Sequence, residues 1–347
     1  MIIEDIIEGF EALPAGTPGV YQLKTLVEHQ LHLSRDTAGN AALLLEGSAE
    51  SFGPIMAMPG VQHIGQATAQ PSGRDFQALC VTAPDSGFSQ RVLAHIAYEL
   101  ERKLSDEPSI DNAALIHGAS WILGLLGDEP SLMSRERING LVGECILLRR
   151  LVETAVGAGL SAQVALDRWW GPSGGKKDFA SKSTAIEVKT TGLNSRQHHI
   201  ASLDQLESTD DEQVYLYSVG LRSEPTSART LPVYVEEVIA QLVHGDGSPD
   251  PEARTSFEGL LLSTGYDVTK EAIYRATPGT IPNPAVPVHI YRVDDLERLS
   301  IKSFKGDELP STVAGVSYRL SIQADPLSIP EEQAVLAALL EGAPLGA

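Results

Sequence analysis

Apolar residues at Ile3, Ile6, Ile7, Phe10 and Leu13 recur at the i, i+3, i+4 spacing of an amphipathic helix, which predicts a short docking helix over 2–13. Three strand-like runs follow at 21–26, 41–45 and 76–81, separated by clusters of Gly, Pro, Asn and Ser that suit turns. From Ser86 the stripe Phe88, Val92, Leu93, Ile96, Leu100 and Leu104 predicts a helix with one apolar face, and a second helix containing Trp121 is expected over 110–126. Gly127-Asp128-Glu129-Pro130 then breaks the chain, because proline cannot continue a helix and disfavours helical backbone in the residue before it.

Ser134 has the character of a helix cap, and Ile138, Leu141, Val142, Cys145, Leu148, Leu151 and Val152 carry an apolar stripe to about residue 156. Short strands are expected at 163–169, 176–180 and 184–191, then a helix near 202–207 and a strongly β-prone strand over 213–221. Helices at 233–243, 251–262 and 330–340 and strands at 286–293 and 316–322 complete the pattern. Alternating helices and strands favour a mixed sheet flanked by helices, so the fold class is α/β. The expected division is an N-terminal α+β region at 1–130, a core at 131–225 and a C-terminal α+β extension at 226–347. No 20–50-residue repeat is present, which removes solenoids and propellers.

Composition adds a constraint that at first opposes nucleic acid. Lys and Arg number 26 against 46 Asp and Glu, a formal net charge of -20 in 347 residues. Such a field repels polyphosphates and anionic membranes at long range. The charge is uneven, however. Residues 131–200 hold 10 Lys and Arg and 6 Asp and Glu, a net of +4, so the acidity belongs to the flanks. The two cysteines, Cys80 and Cys145, form neither a disulfide framework nor a zinc motif. With no basic-apolar leader and no apolar run of membrane-spanning length, a cytoplasmic protein with no membrane partner is expected.

The positive window contains the chemistry. Asp178 is followed nine positions later by Glu187-Val188-Lys189. Strand alternation puts Glu187 and Lys189 on one face and Ile186 and Val188 on the other, and a turn over 180–183 would bring Asp178 alongside. Asp178, Glu187 and the Val188 carbonyl then make a hard-oxygen site suited to Mg2+ or Mn2+, with Lys189 placed to act on water and on developing phosphorane charge. Glu144 sits on the preceding helix, where Gly140 and Gly143 would allow close approach to the sheet. The chemistry expected is phosphodiester hydrolysis. Glu101-Arg102-Lys103 is also Glu-x-Lys, but it lies on an amphipathic helix without an upstream glycine-flanked Asp and reads as a solvated face.

From 134 to 221 the sequence resembles the PD-(D/E)XK phosphodiesterase superfamily. The Gly140-Leu141-Val142-Gly143-Glu144 helix, the Trp169-Trp170-Gly171 loop, Asp178-Phe179, the Ile186 to Thr191 strand and the later His-Ile and Gln-Leu pairs are similar to PD-(D/E)XK proteins encoded in bacterial restriction and phage-defence loci. The resemblance implies a restriction-endonuclease-like core and Mg2+-dependent DNA cleavage, with Glu144, Asp178, Glu187 and Lys189 in the site. Two positions depart from the pattern: Lys177 replaces the proline before Asp178, and no tyrosine follows Gln205 at the spacing of helicase-associated members.

Gln205 could orient substrate or water, and Lys182, Arg196 and His198 are candidate phosphate contacts; His199 reads more readily as a surface residue. At least one of Trp169 and Trp170 is expected to pack in the core, the other being free to stack on a base. The 246–250 segment lacks the spacing of a calcium loop. DNA is the expected partner, with a homodimer if both strands are cut and protein partners in a defence complex suited to the acidic flanks. The alternatives are a non-catalytic assembly or DNA-sensing subunit and a structure-specific repair nuclease.

Overall fold

The computed structural model describes residues 2–52, 61–83, 87–117, 132–209, 211–244, 246–306, 308–310, 312–313 and 315–342. The chain divides into two compact units, Met1–Ser131 with Glu258–Thr269, and Leu132–Phe257 with Lys270–Ala347. Trp121 and the Gly127-to-Pro130 break lie outside the described residues. Among those described, no helix is long and apolar enough to cross a membrane.

The first unit opens with α1 (Ile3–Glu11) and continues through β1 (Val20–Gln22), β2 (Lys24–Val27), β3 (Leu31–Arg35), β4 (Ala41–Glu46), β5 (Val61–Gln70) and β6 (Arg74–Thr82) to α2 (Gly87–Asp106) and α3 (Asn112–His117). The strand order is β1-β5-β6-β4-β3-β2. Since β1 and β2 are successive pieces of one segment, pairing with opposite edges, the sheet curls until its ends meet. The Ser34 hydroxyl on β3 donates to the Gln22 carbonyl at 2.9 Å across that closure. Small residues at Ala42, Ala67, Ala69 and Ala78 fill the narrow interior with Tyr21, Leu44, Phe76 and Cys80. The opposite face buries Leu31, Leu33, Leu43 and Leu45 beneath the apolar stripes of α1 and α2.

Two strands here escape the sequence pattern. β3 is buried almost throughout, and its His32 and Ser34 break the apolar signature; β5 is a partly exposed strand whose buried positions are alanines.

The second unit begins with α4 (Arg135–Gly157), where the Ser134 hydroxyl accepts from the Arg137 amide at 3.3 Å. The expected strand at 163–169 is instead α5 (Ala162–Leu166). The Ser161 side chain caps that turn, and Ala162, Ala165 and Leu166 are buried together on it. β7 (Phe179–Ala180), β8 (Thr184–Thr191), β9 (Gln197–Ile200) and β10 (Gln213–Glu224) follow, and the helix expected at 202–207 is a single 3-10 turn, Leu203–Leu206. α6 (Leu231–Ile239), α7 (Pro251–Ser263), α8 (Glu271–Arg275), β11 (Gly279–Pro282), β12 (His289–Arg292), β13 (Tyr318–Ser321) and α9 (Ile329–Glu341) complete the chain.

β8 and β10 run parallel from Thr184↔Gln213 to Thr191↔Gly220 and are buried on both faces, as expected of a covered parallel pair. β7 forms an antiparallel hairpin with β8, and β11 and β12 both pair antiparallel with the other edge of β10. The residues after 225 are therefore not a separate extension: they supply two strands of the core sheet. Short strands with few side chains of their own give no sign in the sequence of which sheet they will join.

α4 packs on the face carrying Val188 and Thr190. Gly143 permits this, since a Cβ there would lie 2.6 Å from Thr190 Cγ2 and 3.1 Å from Val188 Cγ1. On the opposite face, Ala185, Val214 and Leu216 pack with Ile200, Leu206, Tyr291 and Leu320. The approach of α4 brings Glu144 to the sheet, so Gly143→Ala is expected to destabilise this unit by about 1–3 kcal/mol through overpacking. A denaturant titration of the variant beside the wild type measures the change; an unaltered midpoint would show that α4 does not depend on this contact.

Candidate active site

Four elements bring Glu144, Asp178, Glu187 and Lys189 together. Asp178 immediately precedes β7, and the hairpin is closed by the Ser181 amide donating to the Thr184 carbonyl at 2.8 Å. This places the Asp178 carboxylate beside β8, where the Val188 amide donates to its Oδ2 at 2.8 Å. Glu187 and Lys189 share the face opposite α4, and Lys189 Nζ donates to Glu187 Oε1 at 2.6 Å. Glu144 arrives from α4, where Trp169 Nε1 donates to its Oε2 at 2.7 Å. Each carboxylate thus has one oxygen fixed by a different kind of donor: an indole, a main-chain amide and an ammonium.

The Trp169–Gly171 segment completes the arrangement. The amides of Trp170 and Gly171 both donate to the Asp178 carbonyl, at 2.8 and 2.9 Å, tying the loop to the residue before β7. A side chain at 171 would put its Cβ 3.1 Å from Asp178 Oδ1 and 3.2 Å from Glu144 Oε2. Both carboxylates therefore border the same small space against the glycine main chain. Trp169 itself is buried, its ring packing against Phe179 and Phe257. The two roles are compatible, because an indole can fill a core with its rings while its N–H meets a polar partner. The sequence shows the need for such a partner but not that Glu144 meets it, and the bearing of Gly171 on the site is likewise invisible there.

Burial makes this a costly group of acids. Glu144 is held well above the ordinary carboxylate range, first by desolvation and then by the neighbouring Asp178 charge. Burial also raises Asp178, against the pull of the Val188 amide and Lys189. Glu187 is pushed up to about 7 by desolvation and by Asp178, with Lys189 opposing the shift. Among the described residues, no three His, Cys, Asp or Glu side chains form a ready-made metal cage. The donor set still fits a hard divalent cation. Mg2+ uses one or two carboxylates and keeps several waters, and positive charge here would offset the desolvation that raises all three acids and the Asp178 repulsion that adds to it for Glu144 and Glu187.

The remaining candidates lie elsewhere or are already engaged. Gln205 Oε1 accepts from the Ala201 amide at 3.0 Å within its own turn, and Lys182 is exposed on the β7–β8 turn. Arg196 donates to Ser218 Oγ at 2.7 Å and to the Pro287 carbonyl at 2.6 Å while lying over the Tyr291 ring. His198 is buried, with Nε2 at 2.7 Å from Ser218 Oγ and Nδ1 facing the Thr190 carbonyl at 3.4 Å. Desolvation lowers it to about 4, so it is a neutral internal link and not an exposed phosphate contact. His199 is exposed. Lys177, at the proline position of the motif, is buried with Nζ donating to the carbonyls of Asp204 and Glu207. In the 246–250 segment Asp246 bonds Ser248 and Asp250 caps α7, so neither is arranged as a calcium ligand.

A helix-borne glutamate, an aspartate entering a short hairpin and a Glu-x-Lys strand on a helix-flanked mixed sheet place the chain in the PD-(D/E)XK-like class of folds. The model of the family DUF4420, described as "Putative PD-(D/E)XK family member", matches residues 6–323, and the chain belongs to that family. No curated protein and no solved structure matches it.

The acid cluster predicts an inverted stability effect for Glu144→Gln, which keeps an acceptor for Trp169. A glutamate whose folded pKa exceeds its unfolded one imposes no penalty below the unfolded value; the penalty grows as pH rises toward the folded value. In chelator, the variant should match wild type near pH 4.5 and gain about 1–2 kcal/mol at pH 8, roughly 3–6 °C in Tm. Calorimetry at both pH values checks this, and an equal or lower Tm at pH 8 would sink it. Millimolar Mg2+ should narrow the gap by stabilising the wild type.

Proposed function

We propose that this protein is a divalent-metal-dependent DNA endonuclease serving restriction or phage defence. The observation that carries the reading is the convergence of Glu144, Asp178, Glu187 and Lys189, each carboxylate pinned by its own donor. Membership of a PD-(D/E)XK family supports hydrolysis of a phosphodiester, and the +4 window around the site supports a polyanionic substrate within an acidic chain.

Mg2+ or Mn2+, when bound, supplies Lewis acidity toward a phosphoryl oxygen and acidifies water. Glu144, Asp178, Glu187 and the Val188 carbonyl are the groups that would hold it. The Val188 amide keeps the Asp178 carboxylate turned toward β8, and Trp169 keeps Glu144 turned toward Gly171. Lys189, held by Glu187, presents an ammonium able to orient water and to offset negative charge as it develops on phosphorus. One such site cuts one strand, so a double-strand break requires a second copy or a second event. The acidic flanks favour protein partners over unaided grip on DNA and make DNA association strongly dependent on salt and divalent ions.

The test is incubation of the purified protein with linear, circular, modified and single-stranded DNA in Mg2+ or Mn2+, beside Asp178→Asn and Lys189→Ala. Cleavage should require the metal and fall at least about 100-fold in each variant. Metal-dependent cutting that survives both substitutions would refute the assigned site. No cutting of any substrate would favour a non-catalytic assembly role.

A further inference from the structure

A cleft of about 520 Å³ opens beside the acid cluster but is not formed by it: Trp170, Gly175, Lys177, Asp204, Glu207 and Glu212 are among the residues that line it, and none of the four proposed site residues is. Its position is set by the same loop. Trp170 is joined directly to Gly171, the glycine against which Asp178 and Glu144 converge, and both residues' amides hold the Asp178 carbonyl. Whatever occupies the cleft lies one residue along the chain from the proposed hydrolytic centre.

The wall is preformed. The Trp170 carbonyl accepts from the amides of Ser173 and Gly175, at 3.0 and 3.1 Å, folding the loop into a closed turn. Gly174 takes a left-handed conformation (φ +76°), and a Cβ at 175 would come within 2.9 Å of Trp170 Cβ, so the glycines let the loop fold tightly over the tryptophan. Trp170 is half-buried, with Nε1 donating to the Asp167 carbonyl at 3.2 Å and part of the ring packed against the core cluster that includes Ala180 and Leu206, while the side chain also lines the cleft.

The polar lining is asymmetric. Lys177 is only 7% exposed, and its ammonium gives two of its three donors to the carbonyls of Asp204 and Glu207. One donor is left for a ligand. Glu207 is occupied by Arg298 and by the Ile301 amide. The Glu212 carboxylate meets no donor among the described residues. The cleft therefore offers an aromatic ring, the remaining donor of the Lys177 ammonium and the Glu212 carboxylate that lies near it, with the exposed side chains of Lys176 and Asp204 also in the lining.

The geometry points to a nucleobase site: the cleft takes an unstacked base of the DNA strand whose edge presents an N–H donor beside a ring-nitrogen or carbonyl acceptor. Trp170 stacks on the base, Glu212 accepts from its N–H and Lys177 donates to the adjacent acceptor. This rests on the endonuclease reading for its substrate class and adds to it a preference for single-stranded or locally unpaired DNA at the cut.

The test separates the two readings by measuring binding without catalysis. In chelator, fluorescein-labelled (dC)12 and a strand of abasic sites of the same length are titrated with the full-length protein and with Trp170→Leu and Glu212→Gln, reading anisotropy. The expected result is (dC)12 binding about 10-fold more tightly than the abasic strand, a loss of about 10-fold for (dC)12 in Trp170→Leu, and a reduced dC preference in Glu212→Gln. Equal affinity for the two oligonucleotides, or a preference untouched by both substitutions, would overturn the base site even if the protein cuts DNA in Mg2+. A Trp170- and Glu212-dependent dC preference in a protein that cuts nothing would keep the base site and remove the endonuclease.

Discussion

Three neighbouring carboxylates, Glu187 buried and Glu144 and Asp178 half-buried, repel, and the second unit is organised around holding them there. Each is restrained by a donor from a different part of the chain: the indole of Trp169 for Glu144, the amide of Val188 for Asp178, the ammonium of Lys189 for Glu187. None of these donors removes the cost, since desolvation raises all three acids. Acids held in so unfavourable a setting are a pointer to function, because a cluster kept for stability alone would gain nothing from the cost.

Keeping such a cluster requires rigid supports at several removes. Gly143 lets α4 lie close enough to β8 for Glu144 to arrive, and Gly171 leaves room for two carboxylates where any side chain would crowd them. Arg168, next to Trp169, is buried and donates to the carbonyls of Leu339, Leu340 and Gly342 at the end of α9. α9 thereby anchors the loop that holds Glu144. On the other side of the sheet, Arg196, Ser218 and His198 form an internal link behind Lys189, which is the structural use of two residues that sequence position alone suggests for phosphate binding.

Much of the frame was legible because its signals are local. Ser134 capping a long stripe, the β8 run from Thr184 to Thr191 and the β-prone Val214-Tyr215-Leu216-Tyr217 start of β10 each read correctly from pattern, since helix caps and strand alternation depend on neighbours a few residues away. The 163–169 segment was misread because five residues cannot show a helical period, and β5, β9 and β11 went unseen because their buried positions are few or small. Glu101 shows the converse: the same Glu-x-Lys spelling on α2 stands on a helix away from any such sheet.

The sequence by itself determined which residue types were available and in what order: a helix glutamate, an aspartate nine positions before Glu187, and a lysine two positions after it on the same strand face. Only the tertiary structure decided that Trp169 would hold Glu144, that Gly171 would leave room for two acids, that the chain after 225 would supply strands of the core sheet, and that His198 would be buried and neutral. The physical reason is range. Strand alternation and capping act over a few residues, whereas desolvation and a partner's distance depend on groups that are far apart in sequence and meet only when the fold is complete.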